Sequence, residues 1–159
     1  MPDYPLLFRT THAVRSGAFE ARVTVDGRVL MAREDREWWC HGVDPGGMTE
    51  NGDGPAVAYE RFRLTFRQAL DDLAEEADTY EAFQRDVRAL FSTDGAEEAR
   101  WFRALEELRR GAGIAEPFRG LSRTPPRPSV ITTVLLKAYA GAPLDDTAES
   151  GHDTLVLAA

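Results

Sequence analysis

Hydrophobic and polar residues alternate from Phe19 to Val25, and this period of two predicts a half-buried β-strand. The Asp26-Gly27 pair that follows is typical of a tight hairpin turn, because glycine tolerates a positive φ angle. A return strand is then expected at residues 29–34 and a third strand from Glu37 to Val43. The turn-forming residues after it, DPGGMTENGDGP, predict a loop at 44–55.

Apolar residues recur at steps of three or four after this loop and predict three helices. The first is capped by Asp53 or Gly54, has Pro55 in its first turn, and covers one face of the sheet. The second begins near Asp78-Thr79, and the third runs from about residue 96 to 110 and stops at Gly111. Their inward stripes are expected to be Tyr59, Phe62, Phe66, Leu70, Leu73 and Ala77, then Tyr80, Phe83, Val87 and Leu90, then Phe102, Leu105 and Leu108.

The regions outside this unit have other compositions. The segment 129–141 is compatible with a short helix or a strand, and its LLKAYA sequence favours the helix. The predicted fold class is α+β, with a three- to four-stranded antiparallel sheet covered by a long helix, two further helices and a C-terminal extension. The chain divides into an N-terminal arm or short edge strand at 1–16, a β-β-β-α core with a second helix at 17–91, a third helix at 92–111, a linker rich in Pro, Gly and Arg at 112–128, and a C-terminal segment and tail at 129–159.

The chain of 159 residues has a net charge of −8, with 19 Lys and Arg against 27 Asp and Glu. Dedicated nucleic-acid binders depend on cationic contacts to phosphate, so this balance disfavours such a function and favours a basic protein partner. Cys40 is the only cysteine, which excludes an intrachain disulfide and a cysteine-rich zinc site. We see no secretory signal peptide and no uninterrupted run of ~18 apolar residues, so we expect no membrane span and a cytoplasmic location.

Residue types that carry out catalysis do not group in this sequence. Glu20 and Glu37 are the acidic residues at strand positions, and a charged solvent face explains them better than a metal site. Cys40 and His41 are adjacent in a strand and point to opposite faces, which disfavours a shared metal ion and a Cys-His nucleophile. The Pro45–Met48 loop lacks the Gly-Lys-Ser/Thr ending of a phosphate-binding loop. We therefore expect a binding protein without a cofactor or metal, rather than an enzyme.

Trp38 and Trp39 are the most unusual local feature of the expected third strand. Adjacent strand residues face opposite sides, so one tryptophan packs under the first helix and the other points outward. An outward tryptophan is a common anchor of protein interfaces. The alternative is that a later helix or the C-terminal segment covers it.

Two further features give separate hypotheses. Arginines are concentrated around the linker, so a transcriptional regulator that binds nucleic acid through them is the alternative function, although solvated arginines explain the pattern more simply. The closing TLVLAA fits a strand at the sheet edge, and its Leu157, Ala158 and Ala159 also resemble a signal for ATP-dependent proteases. A divergent metal-dependent nuclease that needs Glu20 is the third function. The arginines concerned are Arg109, Arg110, Arg119, Arg123 and Arg127.

The stretch 17–91 resembles the HicB-like antitoxin family. The matching features are the alternating strand Phe19–Val25, the Asp26-Gly27 turn, Trp39, and Pro45-Gly46 followed by the TENGD sequence at 49–53. The family's threonine and paired glutamates before an alanine, here Ala58, are replaced by GPAV at 54–57. The C-terminal DNA-binding element that many members carry is not recognisable.

This resemblance implies a truncated RNase-H-type fold without the catalytic acids of the nuclease. It also implies an antitoxin that covers the active site of a small basic RNA-cleaving toxin, and the acidic composition agrees with such a partner. Glu20, Glu37, Trp38 and His41 are the residues expected to contact the toxin. An unpaired edge of the sheet would allow a homodimer.

Overall fold

The alternating segments of the chain build one mixed sheet with helices on both faces. The computed structural model describes residues 2–139 and 153–159. The strands are β1 (Tyr4–Arg15), β2 (Phe19–Glu34), β3 (Glu37–Asp44), β4 (Thr49–Gly52), β5 (Arg123–Thr124), β6 (Val130–Ala138) and β7 (Thr154–Ala158), and the helices are α1 (Pro55–Glu76), α2 (Tyr80–Leu90), α3 (Gly95–Arg109) and α4 (Glu116–Arg119). The strand order is β4-β3-β2-β1-β7-β5, and β6 pairs with β2. The α+β class is confirmed, with a larger sheet than the three or four strands expected.

The first four strands form an antiparallel meander. β2 continues through Asp26-Gly27, so the hairpin turn predicted there is wrong. The turn lies at Asp35-Arg36, where both residues have positive φ angles, 48° and 71°, as a tight primed turn requires. β3 confirms the predicted third strand, and β4 adds a short strand inside the segment that was expected to be a loop.

The N-terminal segment lies inside the sheet. β1 pairs with β2 along its whole length, from Tyr4 opposite Met31 to Arg15 opposite Glu20. On its other side, residues 6–9 pair with β7. The segment expected to be an arm or a short edge strand is therefore a twelve-residue strand that is covered on both edges over part of its length.

One face of the sheet is covered by α1, α2 and α4. Gly54 is the N-cap of α1 and Pro55 lies in its first turn, as predicted. Thr79 caps α2 through its side chain, which accepts a hydrogen bond from the Ala82 N–H. Phe118 of α4 stacks on Tyr4 with ring centroids 3.9 Å apart and completes this first core. Its other fully buried helix residues are Ala58, Phe62, Phe66, Leu70, Ala74, Phe83 and Val87.

The opposite face of the sheet is covered by α3. Strand residues such as Leu7 and Leu30 point to this side because neighbours alternate, and they form a second, smaller core. Trp101 of α3 is 1% exposed, and its indole Nε1 donates to the Leu6 carbonyl at 3.2 Å. Phe102, which was expected to point inward, is 48% exposed. Leu105 of the expected stripe is 2% exposed, so the prediction is confirmed there and wrong for Phe102, whose neighbour Trp101 is buried instead.

The C-terminal region completes the sheet. The helix favoured for 129–141 is wrong, because Val130–Ala138 forms β6 and pairs antiparallel with the first half of β2. The closing segment forms β7, which pairs antiparallel with β1 and parallel with β5. The segment 112–128 contains α4 and β5. None of the helices described is long and apolar enough to cross a membrane.

Candidate functional site

A buried carboxylate, Asp44, joins four elements at the end of β3. Its side chain is 2% exposed and accepts hydrogen bonds from Arg28 Nε at 2.5 Å, from Ser129 Oγ at 2.6 Å and from Thr93 Oγ1. Arg28 also donates to Glu98 at 2.5 Å. We call these five residues the Asp44 cluster. Both oxygens of Asp44 are occupied, so it holds β2, β3, β6 and the start of α3 together and is not a free general base.

The electrostatics of the Asp44 cluster favour its charged form. Desolvation alone would raise the pKa of Asp44, but the three side-chain donors outweigh it and hold the pKa below the usual range of an aspartate. Desolvation would likewise lower the pKa of Arg28, and its two carboxylate partners raise it instead. Within the cluster, Arg28 and Asp44 form a buried ion pair. Thr93 and Ser129 donate the other hydrogen bonds to Asp44, and Glu98 accepts one from Arg28. The sequence analysis missed it, because its members are spread from residue 28 to residue 129.

A groove of about 280 Å³ lies beside the Asp44 cluster. It is lined by Arg28, Trp101, Phe102 and residues 126–129. The Arg28 guanidinium lies 5.4 Å from the Trp101 ring centroid and 5.7 Å from that of Phe102, in cation–π contact. The volume is at the small end of the range for small-molecule sites, about 300–1,000 Å³. The groove is better described as part of the packing around Arg28 than as a cofactor pocket.

A second polar cluster ties β1 to α1 and to the start of β7. Asp153 accepts hydrogen bonds from Thr10 Oγ1 at 2.7 Å, from Arg67 Nη2 at 2.9 Å and from Arg63. Desolvation alone would raise the pKa of Asp153, but hydrogen bonds led by that of Thr10, together with the two arginines, lower it. The role of this cluster is also to hold elements together.

An exposed acidic surface covers the C-terminal end of α1 and the start of α2. Six carboxylates lie within residues 71–81, which contain no Lys or Arg. All six residues are exposed. Among the ion pairs of the described residues, only Asp71 of this set has a partner, His12 at 2.8 Å. The sequence analysis did not treat the run DDLAEEAD as a site, although it was visible there. The acidic surface consists of Asp71, Asp72, Glu75, Glu76, Asp78 and Glu81.

The four residues expected to contact a partner do not lie on one surface. Glu20 is near the start of β2, whereas Glu37 and Trp38 follow its far end, after about 45 Å of strand. Trp38 is 5% exposed and packs against Tyr4 and Phe118, with centroid distances of 6.5 and 5.5 Å. It is therefore a core residue and is not available to contact a partner, whereas its neighbour Glu37 is exposed.

His41 and Trp39 lie side by side on the other face of β3. Their rings stack with centroids 6.2 Å apart and planes 13° apart. The His41 side chain is 12% exposed, and its Nε2 and Nδ1 lie 3.3 Å from Glu34 Oε1 and from Thr49 Oγ1. Trp39 is half-buried. Of the two adjacent tryptophans, Trp38 therefore points into the core and Trp39 points to the other face of β3.

The metal-ligating residue types remain separate in the part of the chain that the structure describes. No group of three or more His, Cys, Asp or Glu there is arranged to hold a metal ion. Cys40 is fully buried, and burial raises the pKa of its thiol. A buried thiol with a raised pKa is a poor nucleophile.

The five arginines around the linker do not form one basic patch. Arg109 and Arg123 line the same groove, of about 360 Å³. Arg110 and Arg119 form exposed ion pairs with glutamates of their own helices, at 3.2 and 2.7 Å. Arg127 lies 3.3 Å from a carboxylate of β2. Three of the five charges are thus compensated locally.

The residues of the suggested protease signal belong to the sheet. Leu157 and Ala158 are 1% and 0% exposed in β7, between β1 and β5. The Ala159 N–H donates to the Thr124 carbonyl at 3.0 Å. A protease could read these residues only after β7 had separated from both neighbouring strands.

No protein-family model, curated protein or solved structure matches the chain.

Proposed function

We propose that this is a non-catalytic binding protein of the antitoxin kind, which occludes a small basic RNA-cleaving protein. The observation that carries the proposal is the acidic surface at residues 71–81. Its six carboxylates are exposed, and one of them has an ion-pair partner among the described residues. Such a surface attracts and orients a positively charged partner.

The position of the acidic surface on α1 supports a role in binding. The C-terminal end of a helix carries a partial negative charge, so Glu75 and Glu76 in the last turn oppose the helix dipole, at about 0.3–1 kcal/mol each. α1 has no basic residue in that turn and no acidic residue in its first turn. This charge distribution is the reverse of the one that stabilises a helix. A partner that brings cations to this end would remove the penalty.

The nature of the partner follows from the same charges and from the resemblance of residues 17–91 to HicB-like antitoxins. A protein that cleaves RNA needs a basic face to hold its substrate. A carboxylate surface competes with RNA phosphates for that face, and no catalytic group of the binding protein is needed. The long helix across the antiparallel meander supports this reading, because it presents the carboxylates on a rigid support.

The proposal is tested by purifying a tagged full-length chain from its native host and identifying the protein that co-purifies. The test variant replaces Asp72, Glu75 and Glu76 with Lys. A matched control replaces three exposed carboxylates on α3 and α4 with Lys, and both triples change the net charge equally. The control residues are Glu106, Glu107 and Glu116.

We expect one small basic protein to co-purify with the wild type and the control and to be reduced at least tenfold with the test variant. Its binding should weaken with salt, and its RNA cleavage should be suppressed when the wild-type chain is added. A preparation without a partner, or one loaded with nucleic acid instead, would overturn the proposal. A partner retained equally by both triple variants would exclude the acidic surface.

A further inference from the structure

The free edge of β6 differs from the other edges of the sheet. β4 and β5 end the strand order, and they are four and two residues long. β6 is nine residues long, Val130–Ala138, and pairs with β2 alone among the described strands. One side of β6 therefore presents a long row of backbone N–H and C=O groups.

β6 carries few of the features by which proteins protect such edges, and the one that it has is a shift of register with β2 beside Leu136. Natural edge strands are short or carry prolines and inward-pointing charges. β6 has the sequence VITTVLLKA, without proline and with Lys137 as its one charged residue. The part of β1 that β7 leaves uncovered is different, because it carries His12 and Arg15, and its Thr11 N–H donates to Asp153 at 3.2 Å. The contrast indicates that the edge of β6 is paired in the functional protein.

We propose that β6 pairs antiparallel with β6 of a second copy of this chain, so that two sheets become one continuous sheet. A two-fold axis makes two identical strands antiparallel and brings the same surface from each copy into contact. With the axis at Val134, the two copies of Lys137 lie toward opposite ends of the paired stretch, so no like charges face each other. The residues around the axis then form a ladder of backbone hydrogen bonds, which the shift of register beside Leu136 shortens.

The side chains of β6 suit pairing with a second copy of the chain better than binding of a charged partner. Ile131 and Leu135 pack against the first core of their own copy, and Thr133 Oγ1 accepts a hydrogen bond from the Tyr80 hydroxyl at 3.0 Å. On the other face, Val130 is 49% exposed, and Val134 is half-buried. At the axis, Val134 meets its own equivalent from the second copy, and both side chains lose contact with water. A strand with one charge in nine offers little for an oppositely charged protein to select.

This inference goes beyond the proposed function and uses none of the six carboxylates of the acidic surface. The test measures the mass of the purified full-length chain in solution by light scattering after gel filtration, over a range of concentrations. Val134→Lys places two like charges at the axis, and Thr132→Lys adds a charge at an exposed position of the same strand. Leu64→Lys is the control, because Leu64 is a 53% exposed apolar residue on α1. Circular dichroism checks the folding of each variant.

We expect the wild type and Leu64→Lys to have twice the chain mass of 17.7 kDa, and the β6 variants to be folded monomers or to dissociate at least tenfold more readily. If Val134→Lys fails to fold, Thr132→Lys decides the question. A wild type that stays monomeric at ~100 μM overturns the proposal, since that concentration exceeds the Kd of a specific dimer. A dimer that both β6 variants retain overturns it too. The proposal is also overturned if the wild type binds a different protein through β6 and does not bind a second copy of itself.

Discussion

Replacing Asp44 with Asn tests whether the Asp44 cluster stabilises the fold. The substitution keeps the shape of the side chain and removes a charge that is 2% exposed and accepts three hydrogen bonds. Removing one partner of a buried ion pair costs about 3–5 kcal/mol, because the other charge is left uncompensated. Arg28 keeps Glu98, which is 37% exposed, so we expect the lower value. A loss of about 3 kcal/mol lowers the Tm of a chain of this length by about 6–12 °C.

The pH dependence of Asp44→Asn gives a second, independent check. The pKa of Asp44 is lowered in the folded state, so its contribution is complete above the unfolded pKa of about 3.9 and is lost as the pH falls through the folded value. Asn does not titrate. The difference in stability between wild type and variant should therefore be largest near pH 7 and shrink below about pH 4.

Urea unfolding at pH 7 and pH 3, followed by circular dichroism, measures both effects. Asp26→Asn is the matched control, because Asp26 lies on the neighbouring strand β2 and its ion-pair partners Arg9 and Arg127 are 45% and 34% exposed. A pair that is exposed on one side contributes at most about 1 kcal/mol. If Asp44→Asn destabilised the protein no more than Asp26→Asn at pH 7, the reasoning about the Asp44 cluster would be refuted. A difference that stayed constant between pH 7 and pH 3 would also contradict it.

Three further predictions concern packing and titration. Gly27→Ala should lower the free energy of unfolding in urea by about 1–3 kcal/mol, because a Cβ there would approach the Phe8 ring to 2.6 Å. Gly17→Ala is the control and should change it by less than about 0.5 kcal/mol, since nothing lies within 4 Å of its Cβ. Equal losses would contradict this reasoning. Cys40 should react with a thiol reagent at least ~100-fold more slowly in native buffer than in denaturant, and similar rates would show that the strand opens readily. Asp153→Asn should lower stability by about 1–2 kcal/mol at pH 7. Because the pKa of Asp153 is lowered in the folded state, this loss should diminish below about pH 4 in thermal melts. A loss independent of pH would exclude the charge as its cause.

Local patterns predicted the elements whose burial repeats regularly along the chain. The alternation at 19–25 and the apolar steps of α1 were correct because each reports which side of one element faces the core. The N-cap at Gly54 with Pro55 was also predictable, since capping depends on neighbouring residues alone.

The hairpin error has a physical explanation. Asp26-Gly27 has the composition of a turn, but Gly27 is required because the Asp44 carbonyl oxygen and the Phe8 ring leave no room for a side chain. The true turn uses Asp35-Arg36 at positive φ, which few sequences without glycine or asparagine adopt. A glycine required by a contact with a distant residue looks the same in the sequence as a glycine required by a turn.

The candidate sites show the same limit. The Asp44 cluster combines residues 28, 44, 93, 98 and 129, and no local spacing connects them. β6 has helix-forming residues in LLKA, but pairing with β2 along eight positions outweighed that preference. The acidic surface, by contrast, is contiguous in sequence, and a count of charges in short windows would have found it.

The pairing of β1 with β7 has a consequence for how the chain is made. Leu6 lies opposite Leu157, so the outer edge of β1 gains its partner only when the ribosome has synthesised almost all of the described sequence. At about 5–20 residues per second, this edge stays open for several seconds or longer on a nascent chain that already contains β2 and β3. An open strand edge flanked by apolar residues is a template for aggregation. The topology therefore makes the binding of chaperones to the nascent chain important during translation.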